Sequence, residues 1–181
     1  MKIGIVLGSV RDDRLGAAVA RWVEEQAEGR DHDYVVVDLK QFDVPMLTTS
    51  THPMASGKNY DDAGVQAWSD AIDACDGFVF VTPEYNHGVP GGLKNAVDSL
   101  GAEWSGKAFG MVGYGADGGV RAVEHWRQII ANFSSVVVRA QVALSLFGDV
   151  TDGELTLADR RTGELASVFD QVEQMAQQLR G

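Results

Sequence analysis

At 181 residues, 45% hydrophobic and 23% charged, the chain has the balance of a folded domain and the length for a core of its own, which excludes a disordered segment; one domain over residues 1–181 is expected. Its formal charge of −11 disfavours nucleic acid and anionic membranes as partners, and any phosphate ligand must be met by a local exception to that charge. The single cysteine, Cys75, excludes an intrachain disulfide and a cysteine-rich metal site.

Residues 3–7 are a continuous apolar run and predict a strand. A helix follows over roughly 14–27, with Val19, Trp22, Val23 and Ala27 at helical spacing. Residues 34–37 predict a second strand, ending in Asp38-Leu39. The stretch 41–60 holds Pro45, Pro53 and many Ser and Thr, the composition of a long functional loop. A helix over 61–74 leads to a fully apolar third strand, 77–81. Pro90 stands where a helix can begin, because its fixed φ suits the first turn, and that helix runs to about 100. Residues 107–112 predict a fourth strand, 120–131 a helix and 135–138 a fifth strand. The polar stretch 149–161 reads as a hairpin or an excursion at a subunit contact. A closing helix, 163–179, sets Leu165, Val168, Phe169, Val172, Met175 and Leu179 on one face.

Strands apolar on both faces, alternating with helices, indicate a parallel sheet covered on both sides: an α/β, doubly wound, three-layer domain. Ligands in such domains bind beyond the C-terminal strand ends, so the loops after strands one, three and four matter most. No stretch approaches the roughly 18 apolar residues of a membrane span, and the first apolar run is too short for a signal peptide. A cytoplasmic protein is expected.

After strand one the chain reads Gly8-Ser9-Val10-Arg11-Asp12-Asp13-Arg14-Leu15-Gly16 and enters a helix. A helix N-terminus offers unsatisfied N–H donors and partial positive charge to a phosphate. Gly8 permits close backbone approach, Ser9 supplies a hydroxyl, and Arg11 can fork onto two phosphate oxygens. Arg14 adds a second charge or points to solvent. The plain alternative is a turn capped by Ser9 or Asp13, with the arginines paired to Asp12 and Asp13. The loop lacks the Gly-Lys-Ser/Thr ending of an ATP-binding P-loop.

The segment from Thr82 to Asp98, TPEYNHGVPGGLKNAVD, is the most informative. Its prolines and glycines shape the backbone for a ligand lying against main-chain atoms. Tyr85 supplies an aromatic face for a flat ring, and Asn86 with adjacent N–H groups can address ring nitrogens and carbonyls. Together, the Gly-Ser-Val-Arg loop and the Pro-Glu-Tyr-Asn run before Leu-Lys-Asn-Ala resemble the NAD(P)H-dependent FMN reductase family, which includes quinone, azo-dye and chromate reductases. The resemblance covers nearly the whole chain. It implies a flavodoxin-like fold with sheet order 2-1-3-4-5, noncovalent FMN, and a homodimer or homotetramer with sites near the subunit interface. On it, Ser9 and Arg11 hold the FMN phosphate, while Pro83, Glu84, Tyr85 and Asn86 line the ribityl chain and ring. Relatives often carry serine where this chain has His87 or Gly88; His87 donates to the flavin, orients an acceptor or, the favoured reading, faces solvent. Glu84 is expected to pair locally or across the dimer, and Lys94, Asn95 and Asp98 to support the helix and subunit contacts.

Gly113-Tyr114-Gly115-Ala116-Asp117-Gly118 satisfies GxGxxG literally. A dinucleotide fingerprint belongs to the first βα turn and wants an acid about 20 positions later; Val138 and Arg139 stand near that offset. The simpler reading is a third flavin wall of Gly113, Tyr114 and Gly115, with Tyr114 near the ring. His32, His52 and His125 have no partners at metal-ligand spacing, so no metal is expected. Cys75 reads as inert core, and Trp22, Trp68, Trp104 and Trp126 as core or interface.

The resemblance implies hydride transfer from NADPH or NADH through FMN to a small acceptor (flavin, quinone, azo compound or metal oxyanion) in a ping-pong cycle, with no catalytic side chain required. N–H groups of the 83–88 loop stabilise charge on the reduced ring. The competing readings are a flavodoxin-type electron carrier and a non-catalytic nucleotide-binding regulatory domain.

Overall fold

A computed structural model of the chain describes residues 1–180. Five strands, β1 (Lys2–Leu7), β2 (Asp33–Asp38), β3 (Gly77–Pro83), β4 (Ala108–Gly115) and β5 (Val136–Ser145), form one parallel sheet in the order β2-β1-β3-β4-β5. This is the flavodoxin-like order that the family resemblance implies. The helices are α1 (Leu15–Ala27), α2 (Ala63–Asp73), α3 (Gly91–Asp98), α4 (Val120–Ala131) and α5 (Arg160–Leu179).

Side chains alternate across each strand, so one apolar run feeds two cores. Val79 and Val81 of β3 pack with α1 and α5, among Val19, Val23, Leu165, Val168 and Val172. Phe78 and Phe80 turn to the other face, among Trp68 of α2, Leu93 of α3, Trp126 of α4, and Trp104 and Phe109. There Phe80 meets Trp126 edge-on at 5.5 Å and Phe78 meets Trp104 at 5.2 Å. Fully burying one such side chain stabilises by about 1.5–3 kcal/mol. Trp68, Trp104 and Trp126 are thus core, while Trp22 is only half-buried at its margin. Cys75 is buried beside β1, and desolvation pushes its thiol up, as an inert position requires.

β3, β4 and β5 run further than the apolar residues alone predict. β5 extends to Ser145 through Arg139 and Gln141 because it has a neighbour on one side only, β4. Its pairing slips: Phe109 faces Val137 and Met111 faces Gln141, two steps along β4 against four along β5. Arg127 of α4 fills the kink, donating from Nη1 to the Val138 carbonyl (2.8 Å) and from Nη2 to the Arg139 carbonyl (3.2 Å) and Gln141 Oε1 (2.9 Å). From the opposite face Gln171 of α5 accepts the Ala140 N–H at 2.9 Å.

The polar stretch after β5 is a small antiparallel hairpin, β6 (Val150–Thr151) and β7 (Glu154–Leu155), turned by Asp152 and Gly153 at φ 52° and 84°. A buried bidentate pair closes it: Arg161 Nε and Nη2 donate to the two Asp149 oxygens at 2.9 and 2.7 Å. α5 accordingly starts at Arg160, and its buried stripe ends at Ala176, leaving Leu179 exposed. Residues 42–60 are irregular apart from a 3-10 turn at Pro53–Ala55. Asn95 of α3 holds this loop, accepting the Leu47 N–H at 2.9 Å and donating to the Pro45 carbonyl at 2.8 Å.

Candidate functional site

The parallel register brings the C-terminal ends of β1, β3 and β4 to one edge, and the three loops that follow them touch. Gly8 donates its N–H to the Val81 carbonyl at 3.0 Å. A Cβ on Gly8 would stand 2.4 Å from Leu93 Cδ2, so the loop passes α3 as only glycine can. Ser9 is buried, its hydroxyl 3.3 Å from the Tyr85 phenol oxygen, which joins the first loop to the third.

Beyond Ser9 the structure separates the two arginines. Arg11 is exposed. Arg14 turns inward and donates from Nη1 to the Ser9 carbonyl and from Nη2 to Asp38 Oδ2, each at 2.5 Å. Asp12 pairs with Lys40. Neither Ser9 nor Asp13 caps α1: its N-terminus has no side-chain cap and no acidic residue in the first turn, and although the Ala17 N–H bonds the Arg14 carbonyl at 3.2 Å, the Leu15 and Gly16 N–H groups are left to a ligand or to water. The alternative of a plain capped turn with arginines paired to Asp12 and Asp13 therefore does not describe this loop.

Pro83 closes β3 and is buried. Tyr85 and Gly88 exchange N–H···O bonds of 3.0 and 2.9 Å, with Asn86 and His87 between them at φ 49° and 64°. Two residues at positive φ inside a reciprocal pair make a type I′ turn, which asparagine tolerates better than most residues. The hairpin bonds use only the groups of Tyr85 and Gly88, so the N–H groups of Asn86 and His87 take no part in them. His87 is exposed, as favoured from the sequence.

Glu84 is bonded at both ends to the fourth-strand loop. Its N–H donates to the Tyr114 carbonyl at 3.1 Å. Its carboxylate accepts the Arg121 N–H at 2.9 Å, the Arg121 guanidinium at 2.7 Å and the Ala122 N–H at 3.4 Å. It thus caps α4, whose own N-cap, Gly119, provides no side chain. Burial alone raises this carboxyl, but these bonds and the Arg121 charge outweigh it and hold Glu84 below the usual carboxylate range. The expected local pairing of Glu84 is what the structure shows. Lys94 and Asp98 pair along α3.

Steric demands explain the Gly113–Gly118 pattern. A Cβ on Gly113 would lie 2.9 Å from the Gly118 carbonyl, and one on Gly115 would lie 3.3 Å from Glu84 Cβ. Gly118 and Gly119 take φ of 76° and 71°. Tyr114 reaches under the first loop: a Cβ on Gly16 would sit 2.4 Å from its phenol oxygen. Burial pushes that phenol up to about 12. A separate cleft of about 360 Å³ lies between residues 45–62 and Ser99. Its lining carries Asp61 and Asp62 and no cation, which suits a phosphate poorly.

Three contributors escape a reading by motif. Asp38 anchors Arg14, Arg121 joins Glu84, and Thr82, buried under the turn, accepts the Trp126 indole N–H at 3.0 Å. Only Asp38 left a signal, an acid closing the strand that neighbours β1.

The family model described as NADPH-dependent FMN reductase matches residues 1–149. An NAD(P)H-dependent FMN reductase of Schizosaccharomyces pombe is 35% identical over 179 residues, covering 96% of this chain and 90% of its own. A quinone reductase of Escherichia coli is 29% identical over 174 residues, covering 91% and 85%. Among solved structures, a flavoenzyme NAD(P)H:(acceptor) oxidoreductase from Paracoccus denitrificans superimposes with a TM-score of 0.75 at 22% identity, over 96% of this chain and 98% of that one. That last likeness is one of fold.

Proposed function

The chain belongs to the NADPH-dependent FMN reductase family, and from that membership we propose that it oxidises NAD(P)H and delivers the electrons to a small acceptor, with FMN seated across its three strand-end loops. The observation that carries this is the junction of the loops at an uncapped helix N-terminus, where buried Ser9 meets Tyr85.

The donor set fits FMN. Ser9, exposed Arg11 and the Leu15 and Gly16 N–H groups of α1 suit a phosphate dianion, and no carboxylate stands in that first turn to oppose it. Pro83, Glu84, Tyr85, Asn86 and His87 line the ribityl chain and ring mainly through backbone, with Gly113, Tyr114 and Gly115 as the third wall. Gly16 lets α1 approach Tyr114. Bound FMN supplies hydride acceptance and electron release. The protein's part is to orient it: the N–H groups of Asn86 and His87, not used by the hairpin, favour negative charge on the ring, and Glu84, tied to the α4 N-terminus, keeps that turn in place. The nucleotide and the acceptor use one open face in turn, a ping-pong cycle.

Quinones lead the acceptor classes, given the quinone reductase relative; flavin, azo compounds and metal oxyanions share the chemistry. We place the activity in a single domain over residues 1–181, in a cytoplasmic homodimer or homotetramer. No helix among the described residues is long and apolar enough to cross a membrane.

The test is to mix the purified chain with FMN, remove unbound flavin, and add NADPH without oxygen. Retained flavin absorbance that bleaches with NADPH and returns with a quinone supports the reading. Absorbance that persists with either nucleotide points to an electron carrier. A protein that retains no flavin refutes the proposal.

A further inference from the structure

We propose that Asp38, at the end of β2, is a positioning residue for the phosphate end of the site, acting through Arg14 on the Ser9 peptide. The inference rests on the flavin reading above and assigns Arg14 a different part from Arg11.

Arg14 is the N-cap residue of α1, yet its own side chain provides no cap. Its guanidinium bridges the Ser9 carbonyl and Asp38 Oδ2. The two side chains are 12% and 14% exposed, so this is an inward pair rather than a surface one. Asp38 is itself fixed, because its second oxygen accepts the Lys40 N–H at 3.0 Å as the cap of the 3-10 turn Leu39–Gln41. On the far side, Ser9 contacts Tyr85. A continuous chain of contacts, Asp38–Arg14–Ser9–Tyr85, therefore crosses from the second-strand loop through the first to the third.

Charge decides what this chain can do. Arg14 and Asp38 together are neutral, so their attraction for a phosphate largely cancels, and the uncompensated cation of the loop is Arg11. What the pair supplies is direction. With its carbonyl bound, the Ser9–Val10 peptide cannot rotate, and the Ser9 hydroxyl and the next N–H keep their aim. The outer pair of Lys40 with Asp12 ties the same two loops, but at 42% and 94% exposure it holds weakly. Losing the Asp38 contact frees Arg14 and lets the Ser9 peptide turn.

Such a residue matters for the phosphate and not for the ring, so FMN and riboflavin tell its role apart from general support. Dissociation constants for both, by quenching of flavin fluorescence, are measured on the wild type, Asp38→Asn and Asp38→Ala. The wild type should bind FMN more tightly than riboflavin. Asp38→Ala should weaken FMN about tenfold, because the misaimed Ser9 group loses one charge-assisted bond to the phosphate and this outweighs the cation freed on Arg14; Asp38→Asn should do less, and riboflavin should stay within about twofold. Unchanged riboflavin binding also reports an intact fold. Variants that weaken both flavins equally, or neither, overturn the proposal while the flavin site stands. A wild-type chain that binds no FMN overturns the functional reading and this proposal with it.

Discussion

Removing the Glu84 carboxylate tests whether one side chain holds two of the site's loops together. In Glu84→Ala, α4 loses its only acceptor at the Arg121 N–H, a bond of 2.9 Å, and Arg121 loses its 2.7 Å partner. Deleting a helix-capping acceptor costs about 1 kcal/mol. The lost pair with Arg121 adds little, because Arg121 is 38% exposed, can rehydrate and keeps Asp117 at 2.8 Å. About 1 kcal/mol in a chain of this length lowers Tm by about 2–4 °C. Glu84→Gln keeps an acceptor for the cap and should lose about half as much. Arg121→Met keeps the cap and surrenders only solvent-weakened pairs with Glu84 and Asp117, so its loss is smaller than that of Glu84→Ala. Calorimetry on the three variants should rank them in that order, with FMN affinity following the same ranking. Equal losses in Glu84→Ala and Arg121→Met, or no loss in Glu84→Ala, would refute the capping argument.

Gly16→Ala drives a methyl against the Tyr114 phenol oxygen, 2.4 Å away. It should cost about 1–3 kcal/mol by urea unfolding, most of it recovered in Gly16→Ala with Tyr114→Phe; a double variant no better than the single one counts against the contact. Arg161→Met strands the Asp149 carboxylate, whose remaining donor is the Ser145 N–H at 2.9 Å. The expected cost is about 3 kcal/mol, with faster amide exchange across residues 145–156, and unaltered exchange there would contradict it. Glu173 is buried enough to raise its carboxyl, but bonds from Arg30 and Tyr34 win and hold it below its ordinary 4.5. A lowered folded value means stability is complete above 4.5 and drains away as pH falls toward the folded value. The urea midpoint should decline below that pH, less steeply in Arg30→Met; parallel profiles would rule the pair out as a cause.

What could be read from the chain in advance follows from burial. β1 and β3 are covered on both faces, so their apolar runs announce themselves. β5 is an edge strand, and its exposed Arg139 and half-buried Gln141 obscured everything past Val138. Glycine spacing located the fourth-strand loop but not its reason, which lies in contacts with Gly118 and Glu84. Arg14 was the harder case. Neighbouring Asp12 and Asp13 suggested local pairing, whereas its partner, Asp38, is 24 residues away. Parallel pairing of Leu7 with Asp38 makes them neighbours, a relation of strand order that a local motif does not contain. Asn86 and His87 were judged for what they offer a ligand, while their backbone angles show what the turn asks of them.

The kink in β5 also bears on how the chain behaves in crowded solution. A sheet's open edge displays unpaired carbonyls and N–H groups to any extended segment that drifts by, and strand addition there is a route to fibrillar aggregates. In this chain, side chains occupy that stretch from both faces: Arg127 takes the carbonyls of Val138 and Arg139, and Gln171 takes the N–H of Ala140. With the displaced register, a foreign strand finds neither the groups nor the spacing to continue the ladder. Two side chains thereby blunt the middle of this open edge.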